Sequence, residues 1–250
     1  MGLNLLNFAK ISLDDAREKA SNGRLDVKYL CHCDNLPSFL EILASDYRIL
    51  TIDGEQIFDY ESRYFDTPDF HLFYEHQIGK YNRKKIRIRR YLATNEVWVE
   101  VKKKIKGIKT EKIRHKTDLE EMAGSMPPNL PNSIEHELKD CSNLNPVLDV
   151  NYKRITLVNL ELNQRITIDL ELTFYHESKK LCLEDLAIIE FKFLPKNAPT
   201  LKDSTLKRTG LFKSKFSKYC VGLGLLASVK QNLLAPEFYL CEKLKNKHHV

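Results

Sequence analysis

The chain has 250 residues, 42% of them hydrophobic and 30% charged, with 40 Lys and Arg against 34 Asp and Glu, a formal charge of +6. That is the composition of an ordinary soluble globular protein, long enough for one large domain or two small ones, and its mild excess of base points to anionic partners. No apolar run approaches the roughly 18 residues of a membrane-spanning helix, no basic, apolar and small-residue succession marks a secretory signal, and Leu6 stands where a myristoylated terminus carries Ser or Thr.

In chain order, Leu3–Ala20 carries Leu5, Phe8, Ala9, Leu13 and Ala16 near helical spacing and is expected to be an amphipathic helix ended by Asn22-Gly23. Arg24–Leu30 alternates as a first strand, with Leu25, Val27 and Tyr29 against Asp26 and Lys28. Cys31-His32-Cys33 is no metal fragment. Strand neighbours point to opposite faces, and no second ligand pair has zinc spacing, so the six cysteines read as reduced thiols. Asn35–Ala44 presents Leu36, Phe39, Leu40 and Leu43 on one helical side. Ile57–Phe65 reads as a strand, followed by a helix to Gln77, with Thr67 as its cap and Pro68 at its first position.

The stretch 84–116 is a three-stranded meander. Lys84–Tyr91, Val97–Lys102 and Lys109–Arg114 alternate with period two around turns at Ala93–Glu96 and Gly107. Ala123–Pro131 is a break rich in Pro, Gly and Ser, and a helix follows at Ser133–Asp140. Val147–Thr156, Leu157–Leu162, Arg165–Leu172 and Leu186–Phe193 read as strands, with Asn163-Gln164 a tight connection. Thr200–Thr209 and Lys213–Leu226 read as helices separated by Gly210, and the tail after Val229 as a weak, basic helix. The organisation is therefore an N-terminal helix at 1–22, a single domain at 23–227 and a C-terminal basic tail at 228–250.

The polar faces of these strands collect long ionic side chains. Lys28, Arg87, Arg89, Lys102, Lys112, Arg114, Arg165 and Lys192 accompany Asp26, Glu100, Asp169, Glu171 and Glu190, with almost no Ser, Asn or Gln between them. A sheet with one wet face would carry such charges into water. Helices interleaved with the strands need the greasy face to pack on, however, which turns the charged face into the inside of a barrel. Ile86, Ile88, Val99, Ile166, Ile168 and Phe191 are then expected outside, under helices. Clustered guanidinium and ammonium groups suit a phosphorylated polyanion, and carboxylates among them suit a hard divalent cation that bridges phosphates.

Eight motifs stand in the order of the VTC domain. They are Arg24-x-Asp26-x-Lys28-Tyr29, Tyr64-Phe65-Asp66-Thr67, Lys85–Tyr91, Glu100-Val101-Lys102, Tyr152-x-Arg154, Arg165-x-x-x-Asp169, Glu190-x-Lys192 and Lys215–Tyr219. The chain thus resembles the vacuolar transporter chaperone polyphosphate polymerase domain, a branch of the CYTH or triphosphate tunnel metalloenzyme group. The resemblance implies an α+β fold built on a closed antiparallel tunnel barrel, with a charged lumen and helices packed outside. It implies an ATP-dependent polyphosphate polymerase, a phosphotransferase that moves the γ-phosphate of ATP to a growing inorganic polyphosphate chain with Mn²⁺ or Mg²⁺. Carried over residue by residue, Lys28, Arg87, Arg89, Lys102, Lys112 and Arg154 are the catalytic phosphate ligands. Arg114, Lys215, Ser217 and Lys218 are further substrate contacts, and Glu190 is the metal carboxylate. Glu190 has a second reading as a plain ion pair with Lys192.

Asp26 departs from the Glu of many tunnel enzymes, and the family's extra basic residue has three candidates, Lys80, Arg83 and Lys84. The partners implied are ATP and polyphosphate. The chain is expected in the cytoplasm, reaching the inner face of a membrane through a membrane-protein partner for chain export. No nucleic acid is expected, because no exposed aromatic and basic platform stands out. The same tunnel would serve a hydrolase of tripolyphosphate or nucleoside triphosphates, or a non-catalytic polyphosphate-binding module. Replacing Arg87 by Lys is expected to spare stability, since it loosens a like-charged cluster.

Overall fold

The computed structural model describes residues 3, 5–18, 25–107, 109–122, 124, 126, 127, 129–141, 143–195 and 203–245. Asn22-Gly23, Arg24, Ala123, Thr200 and the end of the tail at 246–250 lie outside them. The elements are β1 (Ala9–Ile11), α1 (Leu13–Glu18), β2 (Leu25–His32), α2 (Leu36–Leu43), β3 (Arg48–Leu50), β4 (Phe58–Asp66), α3 (His71–Gln77), β5 (Arg83–Tyr91), β6 (Glu96–Ile105) and β7 (Lys109–Thr117). They continue as α4 (Asn132–Leu138), β8 (Asn145–Asn159), β9 (Gln164–His176), β10 (Lys179–Leu183), β11 (Leu186–Phe193), α5 (Asp203–Arg208), β12 (Phe212–Ser214), α6 (Lys218–Leu226) and α7 (Ala235–Lys245).

The main sheet runs β12-β2-β11-β9-β8-β4-β5-β6-β7, antiparallel throughout this path. Among the described residues no backbone pairing joins β7 to β12, so the hydrogen-bonded path is open. Side chains cross the gap instead: Lys102 on β6 lies 3.6 Å from Asp26 on β2, and Lys85 on β5 donates to Ser217 Oγ at 2.7 Å.

The outer face is apolar and covered. Leu36, Phe39, Leu40 and Leu43 of α2 pack on Ile166, Ile168, Ile189 and Phe191. Ile134 of α4 packs on Ile86, Ile88, Val97, Val99 and Val101. These are the residues whose alternation places them opposite the charged ones, so one periodicity positions both the core and the site.

Five local features differ from the sequence reading. The expected helix over Leu3–Ala20 is a short strand, β1, paired in parallel with β3, followed by the single-turn helix α1. Ser12 Oγ accepts from Asp15 N at 3.2 Å and fixes where α1 begins. The expected helix over Lys213–Leu226 is β12 and then α6, because Phe212–Ser214 pairs with β2 and Ser217 caps the helix by accepting from Cys220 N. The two strands expected over Val147–Leu162 are one, β8, which ends at Asn159 before a turn at 160–163 and has a bulge between Asn151 and Lys153. The tail folds as α7, which buries Cys241 and Leu244.

The fifth difference concerns Asp66. The helix α3 starts at His71, with Phe70 as a left-handed N-cap residue. Thr67 Oγ1 accepts from His71 N at 3.0 Å, while the fully buried Asp66 carboxylate accepts from Thr67 N, Leu72 N and Phe73 N at 2.8, 2.8 and 2.9 Å, and from the Tyr219 hydroxyl. Asp66 therefore ties β4, α3 and α6 together at one end of the lumen. Asp66→Ala strands these donors and is expected to lower unfolding free energy by about 3 kcal/mol or more in urea; a loss under about 1 kcal/mol would show that water replaces the carboxylate.

Candidate active site

Strand parity turns one set of side chains inward. On β5 these are Lys85, Arg87 and Arg89, on β6 Trp98, Glu100 and Lys102, on β7 Lys112 and Arg114, and on β2 Asp26 and Lys28. On β11 they are Glu190 and Lys192, and on β9 and β8 Thr167, Asp169, Tyr152 and Arg154. Lys218 reaches the same space from the first turn of α6.

Two of the inward carboxylates, Glu100 and Asp169, are each shared between two cations. Glu100, 1% exposed, accepts from Arg87 Nε and Nη2 at 2.8 and 2.6 Å and pairs with Lys112. Asp169 accepts from Arg154 Nε and Nη2 at 2.5 and 2.8 Å, a planar fork, and from Lys218. Glu190 pairs with Lys192. Burial by itself would raise these carboxyls. The surrounding cations overcome it: Arg87, Arg89 and Lys112 hold Glu100 well below the usual range, Arg154 and Lys218 do so for Asp169, and Lys192 and Lys28 for Glu190.

The cations still outnumber the carboxylates. Lys28, Lys85, Arg87, Arg89, Lys102, Lys112, Arg114, Arg154, Lys192 and Lys218 face Asp26, Glu100, Asp169 and Glu190. Arg89 has no carboxylate partner among the described residues. It is 6% exposed, donates from Nε to Ser62 Oγ at 3.0 Å, and lies 5.8 Å from the centroids of Tyr60 and Tyr152. Tyr60 and Tyr152 stack at 5.2 Å, and Arg154 lies over both at 4.9 and 5.2 Å. Arg114 lies 4.4 Å over the Trp98 ring. Burial lowers Lys85 and Lys102 and pushes Lys112, Lys192 and Lys218 down to about 8. Tyr64, whose hydroxyl accepts from Arg87 Nη1 at 3.0 Å, would be raised by burial but is drawn down to about 8 by Arg87, Arg89 and Lys218.

Most of the residues singled out in the sequence are brought together. Lys28 donates to Phe216 O at 2.9 Å, and Ser217 receives Lys85. Lys215 is exposed and stands apart from these contacts. Two charged-face residues leave the lumen. Glu171, φ 50°, follows the bulge and pairs with Lys153 at 2.8 Å on the exposed surface. Arg165 donates to Ala16 O of α1. Two of the three candidates for the extra cation face outward: Lys80 pairs with Glu75, and Lys84 with Glu137 and Asp140. Arg83 donates to Lys80 O. The inward cation at this end is Lys85, marked by the parity it shares with Arg87 and Arg89 and by its contact with Ser217.

Arg87→Lys also reads differently in the structure. It would weaken the main partner of a buried Glu100, so a stability loss is expected rather than none. Half-buried His76, whose Nε2 contacts Lys84 O at 3.0 Å, is held neutral by desolvation and by Lys85 and Arg83.

Among the described residues no three His, Cys, Asp or Glu side chains stand together as a metal cage. Asp26 and Glu190 lie two positions apart across the β2–β11 ladder, where Asp26 opposes Lys192 and Glu190 opposes Lys28. Such a pair fits an ion whose other ligands are phosphate oxygens and water, the mode usual for Mg²⁺.

The fold is shared with a Hippeastrum protein described as a candidate adenylyl cyclase with a dominant triphosphatase activity, at 14% identity and TM-score 0.52 over 79% of this chain and 94% of that one. A candidate adenylate cyclase from Vibrio parahaemolyticus is similar at 16% identity and TM-score 0.42, over 83% and 88%. No curated protein matches the chain. The VTC domain model matches residues 23–227, and the chain belongs to that family.

A bound polyanion favours the charged lysines and the neutral phenol, so binding should raise these shifted values and take up protons near pH 8. Affinity for a fully ionised nucleoside triphosphate should fall as pH rises through about 8. Metal-free calorimetry in two buffers of different ionisation enthalpy measures the uptake; none, or net release, contradicts this electrostatic picture.

Proposed function

We propose that the protein is a polyphosphate polymerase that transfers the γ-phosphate of ATP to the end of an inorganic polyphosphate chain held in the lumen. The observation that carries this reading is the surplus of inward cations, arranged along several strands of a VTC domain. Lys85, Arg87 and Arg89 rise along β5 at about 7 Å per pair of residues, a ladder suited to successive phosphates. Arg89 and Arg154 offer planar forks, and Lys28, Lys102, Lys112 and Lys218 offer point charges.

Phosphoryl transfer needs positioning and charge neutralisation more than covalent chemistry. Arg87 and Arg154 are oriented by Glu100 and Asp169, so they present donors to the transferred group with little reorganisation. Lys85 and Ser217 hold the phosphate chain at the α6 end. Mn²⁺ or Mg²⁺, held by Glu190 and Asp26 with the substrate's phosphates, would supply further charge neutralisation. The cation ring leaves any proton on the acceptor phosphate unfavourable, so the acceptor arrives ionised and needs no histidine base. The activity belongs in the cytoplasm, with a membrane-protein partner for export; no helix among the described residues is long and apolar enough to cross a bilayer.

A hydrolase is the second reading, favoured by the exposure of Lys102 and Lys112 to water, 49% and 39%. Incubation with γ-labelled ATP and Mn²⁺ separates the two: labelled long chains are expected, and free phosphate alone would establish the hydrolase. Arg89→Lys should reduce turnover by a transition-state loss of about 2–4 kcal/mol with an unchanged melting temperature, because Arg89 holds no carboxylate. Full activity in this variant would remove Arg89 from the reacting phosphate.

A further inference from the structure

The family match begins at residue 23, yet β1 and α1 precede it and are built into the site. Ile11 and Ala16, 5% and 3% exposed, pack with Leu50, Phe58 and Val158 in a separate apolar cluster that Tyr60 and Leu160 join. Phe58 and Val158 have the inward parity of Ser62 on β4 and Arg154 on β8. They lie at the end of the lumen where β4 starts and β8 finishes. Arg165, which has the inward parity of Lys192 at the same end of β9, is drawn out of the lumen to donate to Ala16 O. Arg17 reaches Glu96 at the start of β6 at 3.2 Å. The N-terminal segment therefore spans this end from β6 to β9.

The opposite end is occupied as well. Inward-facing Leu148, Tyr64 and Leu30 pack against α6 in one cluster, and a Cβ on Gly222 would stand 2.9 Å from Leu148 and 2.5 Å from Phe174. The inward side chains Lys102, Lys112, Arg114 and Asp26 are open to water and lie on β6, β7 and β2 beside the unpaired seam.

We infer that the lumen is a blind pocket, stopped at one end by the segment Ala9–Glu18, which takes a phosphate chain by its terminus and does not thread it. This rests on the reading of the lumen as a polyphosphate site. The consequence is that ATP and chain share one opening, so the chain end must withdraw between additions. A linear chain has two ends, so it should carry at most two protein molecules whatever its length. A threading tunnel would load more protein on a longer chain.

The test is the saturating ratio of the full-length protein to linear polyphosphate of two defined lengths, measured by light scattering without divalent metal. Salt of about 0.3 M screens the basic surface. Two per chain at both lengths is expected. A ratio that grows with length overturns the blind pocket and leaves the polyphosphate reading standing, whereas absence of binding to polyphosphate and to tripolyphosphate alike overturns that reading itself. Ala16→Asp places a carboxylate in the apolar seat and should expel the segment, making the ratio grow with length. A folded Ala16→Asp protein, verified by its melting curve, that stays at two per chain would remove the segment from the closure. Should that variant not fold, Arg17→Glu repels Glu96 at the exposed rim and is read the same way.

Discussion

The structure turns on an excess of positive charge held in a confined space. A buried ion pair contributes little net stability, and an unpaired buried charge is costly. Here the carboxylates are too few: Glu100 serves Arg87 and Lys112, Asp169 serves Arg154 and Lys218, and Arg89 has none. The rest of the fold accommodates this imbalance. Stacked tyrosines screen the guanidinium groups, α2 and α4 keep the outer face dry, and Asp66 fixes α3 and α6 to the sheet. Under the proposed function a polyanion supplies the missing negative charge, which would couple ligand binding to folding stability through one set of residues.

Much of this was legible from period two alone. Alternation over 84–116 assigned Arg87, Arg89, Lys102, Lys112 and Arg114 to one face and Ile86, Ile88 and Val99 to the other, and the pairing agrees. It also contained Lys85, which was overlooked in favour of Lys80, Arg83 and Lys84; parity excludes Lys84 but not Arg83, and the contact with Ser217 is what distinguishes Lys85. Glu171 was misplaced because a bulge beside Lys153 shifts the register, and a bulge depends on the partner strand. At the N-terminus, Leu5, Phe8 and Ala16 have helical spacing. Pairing with β3 decides the outcome instead, a tertiary effect that local pattern does not contain. Lys215, read as a phosphate contact, stays exposed while its neighbours Ser217 and Lys218 turn inward.

Glu190 illustrates how two readings of one residue coexist. The pair with Lys192 is formed, as the plain ion-pair reading requires. Lys192 is also pushed down to about 8 by burial, so its proton is held less firmly than that of an ordinary lysine. A cation arriving with phosphates would compete for the same carboxylate, and Lys192 would then face phosphate oxygens on the same wall. Under the proposed metal role, Glu190 would exchange Lys192 for the cation when the lumen takes up its substrate.

The coupling of stability to polyanion binding is tested most directly by thermal unfolding of the wild type and of Arg89→Met in a series of tripolyphosphate concentrations. The wild type should gain stability with the logarithm of ligand concentration, by about 2.7 kcal/mol at a hundredfold excess over Kd. Arg89→Met, with one fewer uncompensated cation, should be at least as stable when empty and should gain much less. Equal gains in the two proteins would contradict the claim that unpaired lumen cations bind the phosphates.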